Sequence, residues 1–152
     1  MDFTFNEDQQ SIRDLAQQIF SDRATDEFML SFDRNDDVYD NDLWKTLAEQ
    51  GLLAITIPEQ FGGSGFGITE VCLMLEEQGR RVAPVPLYSS QVLGVLPLCE
   101  FGSEQQQQHY LPAMATGESR LTAAIAELGM SACVAGEITA TQNGDNFILN
   151  GQ

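Results

Sequence analysis

The sequence has few basic residues. Its 152 residues include 7 Lys and Arg against 23 Asp and Glu, so the formal net charge at pH 7 is 7 − 23 = −16. Proteins that bind nucleic acid neutralise its phosphates with Lys and Arg, and anionic membrane surfaces attract basic segments. We therefore expect neither nucleic acid nor a membrane as a partner. Solubility is the simplest role of the acidic charge, and a specific cationic partner is the alternative.

The sequence also lacks long apolar runs and clustered metal ligands. It has no run of about 18 or more apolar residues and no charged leader followed by an apolar segment, so it predicts neither a transmembrane helix nor a secretion signal. The three cysteines, Cys72, Cys99 and Cys133, lie in apolar surroundings and outside any close Cys/His cluster. We expect no metal site, and buried free thiols in a cytoplasmic protein.

Helical patterns fill the first part of the chain. Asn6 and Gln9 form a capping box ahead of apolar residues at helical spacing. The acidic residues 31–41 have no periodicity and predict a connecting loop. Asp42 is expected to cap a short helix that ends at Gly51. The amino-terminal region should therefore be built from helices.

A glycine-rich stretch is the most unusual feature. Residues 57–81 read IPEQFGGSGFGITEVCLMLEEQGRR, with four glycines from Gly62 to Gly67. The apolar residues 52–58 predict extended chain, and residues 68–81 predict a helix. A phosphate-binding loop usually carries a Lys, and GGSGFG matches neither the Walker nor the dinucleotide spacing. We therefore favour a tight turn with positive φ angles over a phosphate site.

The later part of the chain changes from a helical to a β pattern. Residues 88–99 are apolar on nearly every side, which predicts a buried helix. Ser103 and Gln106 then form a further capping box. After about residue 117 the pattern is β-like, and NGDN predicts a hairpin turn before FILN.

These patterns predict a mainly α fold. An all-α domain is expected over residues 1–116, and residues 117–152 read as the incomplete start of a β domain. A sheet of two or three strands that stops there would have an unprotected edge. The chain is therefore expected to be a piece of a longer protein.

The order of these motifs resembles the amino-terminal part of an acyl-CoA dehydrogenase. The opening FTFNEDQQSIRDLAQQIF, then IPEQFGGSGFGITEVCLMLEEQGR, GSEQQQQHYLPAMATGE, AIAE and NFILNG follow one another as in that family. The resemblance implies a helical amino-terminal domain, a β-barrel-like middle domain and a carboxy-terminal four-helix domain. It also implies FAD and an acyl-CoA substrate, whose α proton is removed by a Glu of the carboxy-terminal domain. No residue of this chain is therefore assigned as the catalytic base.

The resemblance also implies an acyl pocket on the helix that begins near Tyr88. The matching positions are Pro86, Ser89, Ser90, Leu93 and Gly94. The small side chains leave space that a tail would fill, and close packing by another helix is the alternative.

The flavin contacts that the resemblance implies are Ile125, Ala126 and Ser131. Ala126 stands where many members have Thr, and Leu128 stands where they have Pro. A lost hydroxyl removes one hydrogen bond, worth about 0.5–1.5 kcal/mol, while backbone contacts survive. The departure therefore weakens the prediction of FAD binding without excluding it.

Two further functions stay open at this point. One is a non-catalytic subunit of the same fold in a hetero-oligomer, and the other is a helical module that binds a partner helix along residues 86–98. An electron-transfer flavoprotein is a possible partner of the full-length protein, which we expect to be a homo- or hetero-oligomer. Outside these sites, His109 is expected to be solvated, and Glu76–Arg80 and Glu77–Arg81 are expected to be helix-surface ion pairs.

Overall fold

The computed structural model describes residues 4–35, 37–124 and 138–151. The chain divides into two compact units, Met1–Thr122 and Ala123–Gln152. Helices make up the first unit and a β-hairpin lies in the second, so the mainly α fold class is confirmed. The predicted domain boundary after residue 116 stays a prediction.

Six α-helices, a π-helical segment and two strands are described. The α-helices are α1 (Glu7–Arg23), α2 (Asp26–Phe32), α3 (Asn41–Glu49), α4 (Ile68–Arg81), α5 (Leu96–Phe101) and α6 (Glu104–Ala115). The π-helical segment is Tyr88–Val95, and 3-10 turns occupy Leu52–Ala54 and Glu59–Phe61. The strands are β1 (Thr139–Asn143) and β2 (Asn146–Asn150).

The core of the first unit forms where α1, α3 and α4 meet. The capping box that starts α1 is confirmed, because Asn6 Oδ1 accepts from Gln9 N at 2.8 Å and Gln9 Oε1 accepts from Asn6 N at 3.1 Å. Phe20, Trp44 and Met74 are fully buried in this core. Burying side chains of this size stabilises the fold by about 1.5–3 kcal/mol each.

Helix α3 begins two residues earlier than a cap at Asp42 predicts. Its cap is Asp40, whose Oδ1 accepts from Asp42 N at 3.0 Å and from Leu43 N at 3.1 Å. The Asp40 carboxylate is held by Arg23, with Nε to Oδ2 at 2.6 Å. Burial raises the pKa of Asp40, but the hydrogen bonds from Arg23 and the Leu43 N–H outweigh it, so the pKa lies below its usual value. Arg23 therefore holds the carboxylate that caps α3, and its Nη2 also lies 3.5 Å from Asp42 Oδ2.

Residues 52–57 are not extended, so that prediction is wrong. They form short turns in which Ala54 N donates to Gly51 O and Ile57 N donates to Ala54 O, both at 3.1 Å. Every side chain of this segment is buried. A continuous apolar run indicates burial but does not separate a strand from other buried conformations.

The hairpin of the second unit is confirmed. Strand β1 pairs antiparallel with β2, and Asn143 lies opposite Asn146. Gly144, in the turn, has φ +64°, which suits glycine.

Candidate functional site: an apolar groove beside a π-helical turn

The glycine-rich loop binds itself and leaves no backbone donor free. Each of the six N–H groups from Gly62 to Gly67 donates to an acceptor of the protein. The acceptors, in order, are the carbonyls of Glu59, Pro58, Ala54, Ile57 and Ile55 and the carboxylate of Glu70, at 2.8 to 3.3 Å. A phosphate-binding loop needs such N–H groups to point at its ligand. The structure therefore supports the turn and not a phosphate site.

Glycine is required in this loop for two separate reasons. Gly62 and Gly65 have φ +86° and +66°, in the left-handed region that side chains disfavour. A Cβ on Gly63 would lie 1.9 Å from the carbonyl oxygen of Ile57, so only glycine fits there. The loop is thus packed directly on residues 52–57, and the positive φ angles of the predicted turn are confirmed at Gly62 and Gly65.

Residues 88–101 form one continuous helical segment, which we call the groove helix. Its first part is π-helical, as the Leu96 N–H donates to Gln91 O, five residues back. A π-helical turn inside a helix frequently occurs at a functional site. The prediction of a helix over residues 88–99 is therefore confirmed. We recognised no feature of the sequence that predicts its π-helical hydrogen bonding.

The groove helix is buried on one side only, so the prediction that it is buried nearly all round is wrong. Its buried side chains are Ser90, Gln91 and Val95, together with Gly94. Gln91 is fully buried, and its Nε2 donates to Leu53 O at 3.0 Å. Several of its aliphatic side chains instead stay partly exposed. The helix thus turns Ser90, Gln91, Gly94 and Val95 inward, while Leu93 and Phe101 keep apolar surface outward.

These outward side chains form an open groove of about 330 Å³. Its wall is mostly aliphatic and aromatic and carries no charged side chain. The lining residues are Leu93, Gly94, Pro97, Leu98, Phe101, Gly102, Tyr110, Leu121 and Thr122. Phe101 is 84% exposed, so most of its ring is available for contact. The composition suits a hydrocarbon ligand.

Of the five predicted acyl-pocket residues, two line the groove and three do not. Leu93 and Gly94 line the groove. Ser90 is 1% exposed and faces the core, Ser89 donates its hydroxyl to Pro86 O at 3.2 Å, and Pro86 is partly buried. The space beside Gly94 is occupied by Leu121, since a Cβ built on Gly94 would lie 2.6 Å from Leu121 Cβ. The acyl-binding role of all five positions stays a prediction.

Several lining residues were missed by sequence reasoning. Leu98 falls within the predicted buried helix over 88–99, and no sequence pattern singles out Phe101, Tyr110 or Leu121 as site residues. An aromatic residue at the end of an apolar helix was an available signal for Phe101, whereas the approach of Leu121 depends on tertiary packing alone. The predicted flavin contacts Ile125, Ala126 and Ser131 lie outside the described residues.

The other predicted surface features are partly confirmed. His109 is exposed, with its ring edge-on to Tyr110 at 4.6 Å between centroids. Arg80 pairs with Glu76 as predicted, but Glu77 pairs with Arg80 at 3.3 Å and with Arg13 at 3.2 Å, not with Arg81. Glu77 is buried, so it bonds across to α1 as well as along its own helix.

The cysteines differ from the prediction that they are buried. Cys72 is exposed on α4, so the prediction is wrong for that residue. Cys99 is partly buried, and this burial raises the pKa of its thiol. Cys133 lies outside the described residues.

The described residues form neither a membrane-spanning helix nor a cluster of metal ligands. Among the described residues, no helix is long and apolar enough to cross a membrane. In the same part of the chain, no three Cys, His, Asp or Glu side chains are grouped as a metal site would need.

The chain belongs to the acyl-CoA dehydrogenase family. Residues 6–118 match the family described as Acyl-CoA dehydrogenase, N-terminal domain. The acyl-CoA dehydrogenase FadE27 of Mycobacterium tuberculosis is 33% identical over 152 residues, which cover 99% of this chain and 39% of that protein. The resemblance stated from the sequence motifs is therefore confirmed.

Solved structures agree with this assignment. The ChsE4–ChsE5 complex from Mycobacterium tuberculosis matches with a TM-score of 0.88 and 33% identity, over 99% of this chain and 40% of that one. An acyl-CoA dehydrogenase complexed with FAD from Bacillus anthracis matches with a TM-score of 0.80 and 28% identity, over 97% of this chain and 26% of that one. The chain thus spans well under half the length of these relatives.

Proposed function

We propose that the full-length protein is an FAD-dependent acyl-CoA dehydrogenase and that this chain supplies one wall of its acyl-tail site. The observation that carries the proposal is the uncharged groove beside the π-helical turn. Each methylene group buried there would contribute about 0.8 kcal/mol. A groove of this composition favours a hydrocarbon tail over a polar ligand.

The described residues fit the tail and not the phosphates of a dinucleotide, because no charged side chain lines the groove. Contacts to the flavin are proposed for Ile125, Ala126 and Ser131, mainly through the backbone. FAD, when bound, supplies a two-electron acceptor for the reaction. Leu93, Leu98 and Leu121 would hold the tail and exclude water from it. The proton-abstracting carboxylate is proposed to lie outside this chain.

The proposal is tested with the full-length protein. We expect a flavin absorbance spectrum that bleaches when dodecanoyl-CoA is added without oxygen. Leu93→Asp should weaken binding of this thioester by about tenfold or more, because a carboxylate in an apolar groove loses its hydration. The control is Leu30→Asp, since Leu30 is 63% exposed on α2 and does not line the groove. Absence of flavin, or equal binding by Leu93→Asp, would contradict the proposal.

A second candidate is a non-catalytic chain that pairs with a catalytic chain of the same fold. It is supported by Ala126 and Leu128, which depart from the family motif. The similarity to a complex of two differently named chains, ChsE4 and ChsE5, also supports it. Flavin and bleaching that occur only after co-expression with a second family member would favour this candidate. For both candidates we propose an electron-transfer flavoprotein as the electron acceptor and a cytoplasmic location.

A further inference from the structure

Three buried polar atoms are carried by the groove helix and by the turns of residues 52–57. They are Thr56 Oγ1, Ser90 Oγ and Gln91 Oε1, and among the described residues none of them has a hydrogen-bond partner. The three side chains belong to residues that are only 5%, 1% and 0% exposed, in that order. Buried polar atoms of native proteins nearly always have a partner, so each of these atoms calls for one.

The two segments that carry these atoms pack directly on each other. Gln91 Nε2 donates to Leu53 O at 3.0 Å, and the thiol of Cys99 donates to Thr56 O at 3.9 Å. The turns of residues 52–57 therefore run along the buried side of the groove helix. Ser90 is buried beside Gln91 on that helix, so all three unpaired atoms belong to this interface.

The unpaired atom of Gln91 is a hydrogen-bond acceptor. Turning the side-chain amide over would place Oε1 against the carbonyl oxygen of Leu53, and two acceptors repel each other. Nε2 therefore stays on Leu53 O, where it donates at 3.0 Å. This leaves Oε1 in need of a donor from another group.

The hydroxyl of Ser90 is not free to use the carbonyl four residues back, which a helical serine often bonds. That carbonyl belongs to Pro86. Its oxygen already accepts from Ser90 N at 3.0 Å and from the hydroxyl of Ser89 at 3.2 Å. A carbonyl oxygen has two lone pairs, so both are in use. The Ser90 hydroxyl thus needs a different partner.

We propose that ordered internal water binds at this interface and bridges Gln91 Oε1 to the hydroxyls of Ser90 and Thr56. Water both donates and accepts, and it joins polar groups that make no direct hydrogen bond, as is the case for these three. A side chain from the rest of a longer protein cannot take this place, because each atom is already enclosed by this chain. The site does not depend on the proposed function.

A high-resolution crystal structure of the full-length protein tests the site directly. We expect a water oxygen at about 2.7–3.2 Å from Gln91 Oε1 and at a similar distance from at least one of the two hydroxyls. An interface without such a bridging water would overturn the proposal.

Two substitutions in the full-length protein provide a second test, whose sign separates a hydrated hydroxyl from an unpaired one. If water bonds these hydroxyls, Thr56→Val and Ser90→Ala each remove one of its partners and should lower the unfolding temperature. If the hydroxyls are unpaired, the same changes remove an uncompensated polar group from the interior and should raise the unfolding temperature. A raised or unchanged temperature in either variant would overturn the proposal.

Combining the substitutions tests whether the hydroxyls share the water. Once Thr56→Val has weakened the water site, Ser90→Ala has less left to remove, so the double variant should lose less than the sum of the two single losses. Ser89→Ala is the matched control, because the Ser89 hydroxyl already has Pro86 O as its partner. Its loss should add fully to that of Thr56→Val. Additive losses for Thr56→Val and Ser90→Ala would contradict a shared water.

Discussion

The glycine-rich loop and the groove differ in what they leave available to a ligand. From Gly62 to Gly67 every N–H is bonded within the protein, so the loop offers no backbone donor to a ligand. Along the groove, Leu93, Leu98 and Phe101 keep apolar surface open while Gln91 is turned into the core. The conspicuous motif is therefore structural, and the segment that reads as core in the sequence carries the proposed site. Loop substitutions should change stability, and groove substitutions should change ligand affinity.

The largest expected effect in the loop is at Gly63. A Cβ there would lie 1.9 Å from Ile57 O, and this obstacle is backbone. Relief requires the loop to lift from residues 52–57, which would break bonds such as Gly65 N to Ile57 O. We expect Gly63→Ala to lower the free energy of unfolding by about 3 kcal/mol or more, measured by thermal unfolding of the full-length protein.

Gly79→Ala is the matched control for this substitution, because the same methyl meets open space. It should leave the unfolding temperature unchanged or slightly raised. The fraction of Gly63→Ala that does fold should bind the twelve-carbon thioester normally. A large loss of affinity in that fraction would show that the loop contributes to ligand binding after all.

How far the fold could be predicted is shown by α4 and residues 52–57. The pattern that begins after the glycines and ends at two arginines predicts a helix over 68–81, and the structure has Ile68–Arg81. The neighbouring run LLAITIP is equally apolar but carries no period, so its pattern indicates burial alone. Helix α2 was missed, although Thr25 caps it by accepting from Phe28 N at 3.2 Å. Thr25 followed by two acidic residues was a usable signal.

The groove could be predicted only in part, because its walls come from distant parts of the sequence. Leu93 and Gly94 were named through the family resemblance. Leu121 lies 27 positions after Gly94, and its approach depends on the packing of α6 and on the anchoring of Arg120. The inward turn of Gln91 also opposes the usual rule that amides face water. These features depend on tertiary contacts, which a single sequence does not display.

A smaller effect is expected at Gly62. Its φ of +86° disfavours a side chain, but nothing lies within 4 Å of an added Cβ. Gly62→Ala should therefore cost only the backbone term, about 1 kcal/mol in the free energy of unfolding. Asn tolerates positive φ better than Ala, so Gly62→Asn should lose less. Equal losses for Gly62→Ala and Gly63→Ala would show that close packing does not distinguish the two glycines.

The smallest effect on stability, and a clear effect on affinity, is expected at Phe101. Its ring is 84% exposed and lines the groove, so Phe101→Ser should change the free energy of unfolding by no more than about 0.5 kcal/mol. The same change should weaken binding of the twelve-carbon thioester by about threefold to tenfold, because the tail loses apolar contact area, and titration of the holoenzyme measures this. Phe66→Ser is the control, since Phe66 is also exposed but lies in the glycine-rich loop. If Phe66→Ser weakens tail binding as much as Phe101→Ser, the loop and the groove are not functionally separate.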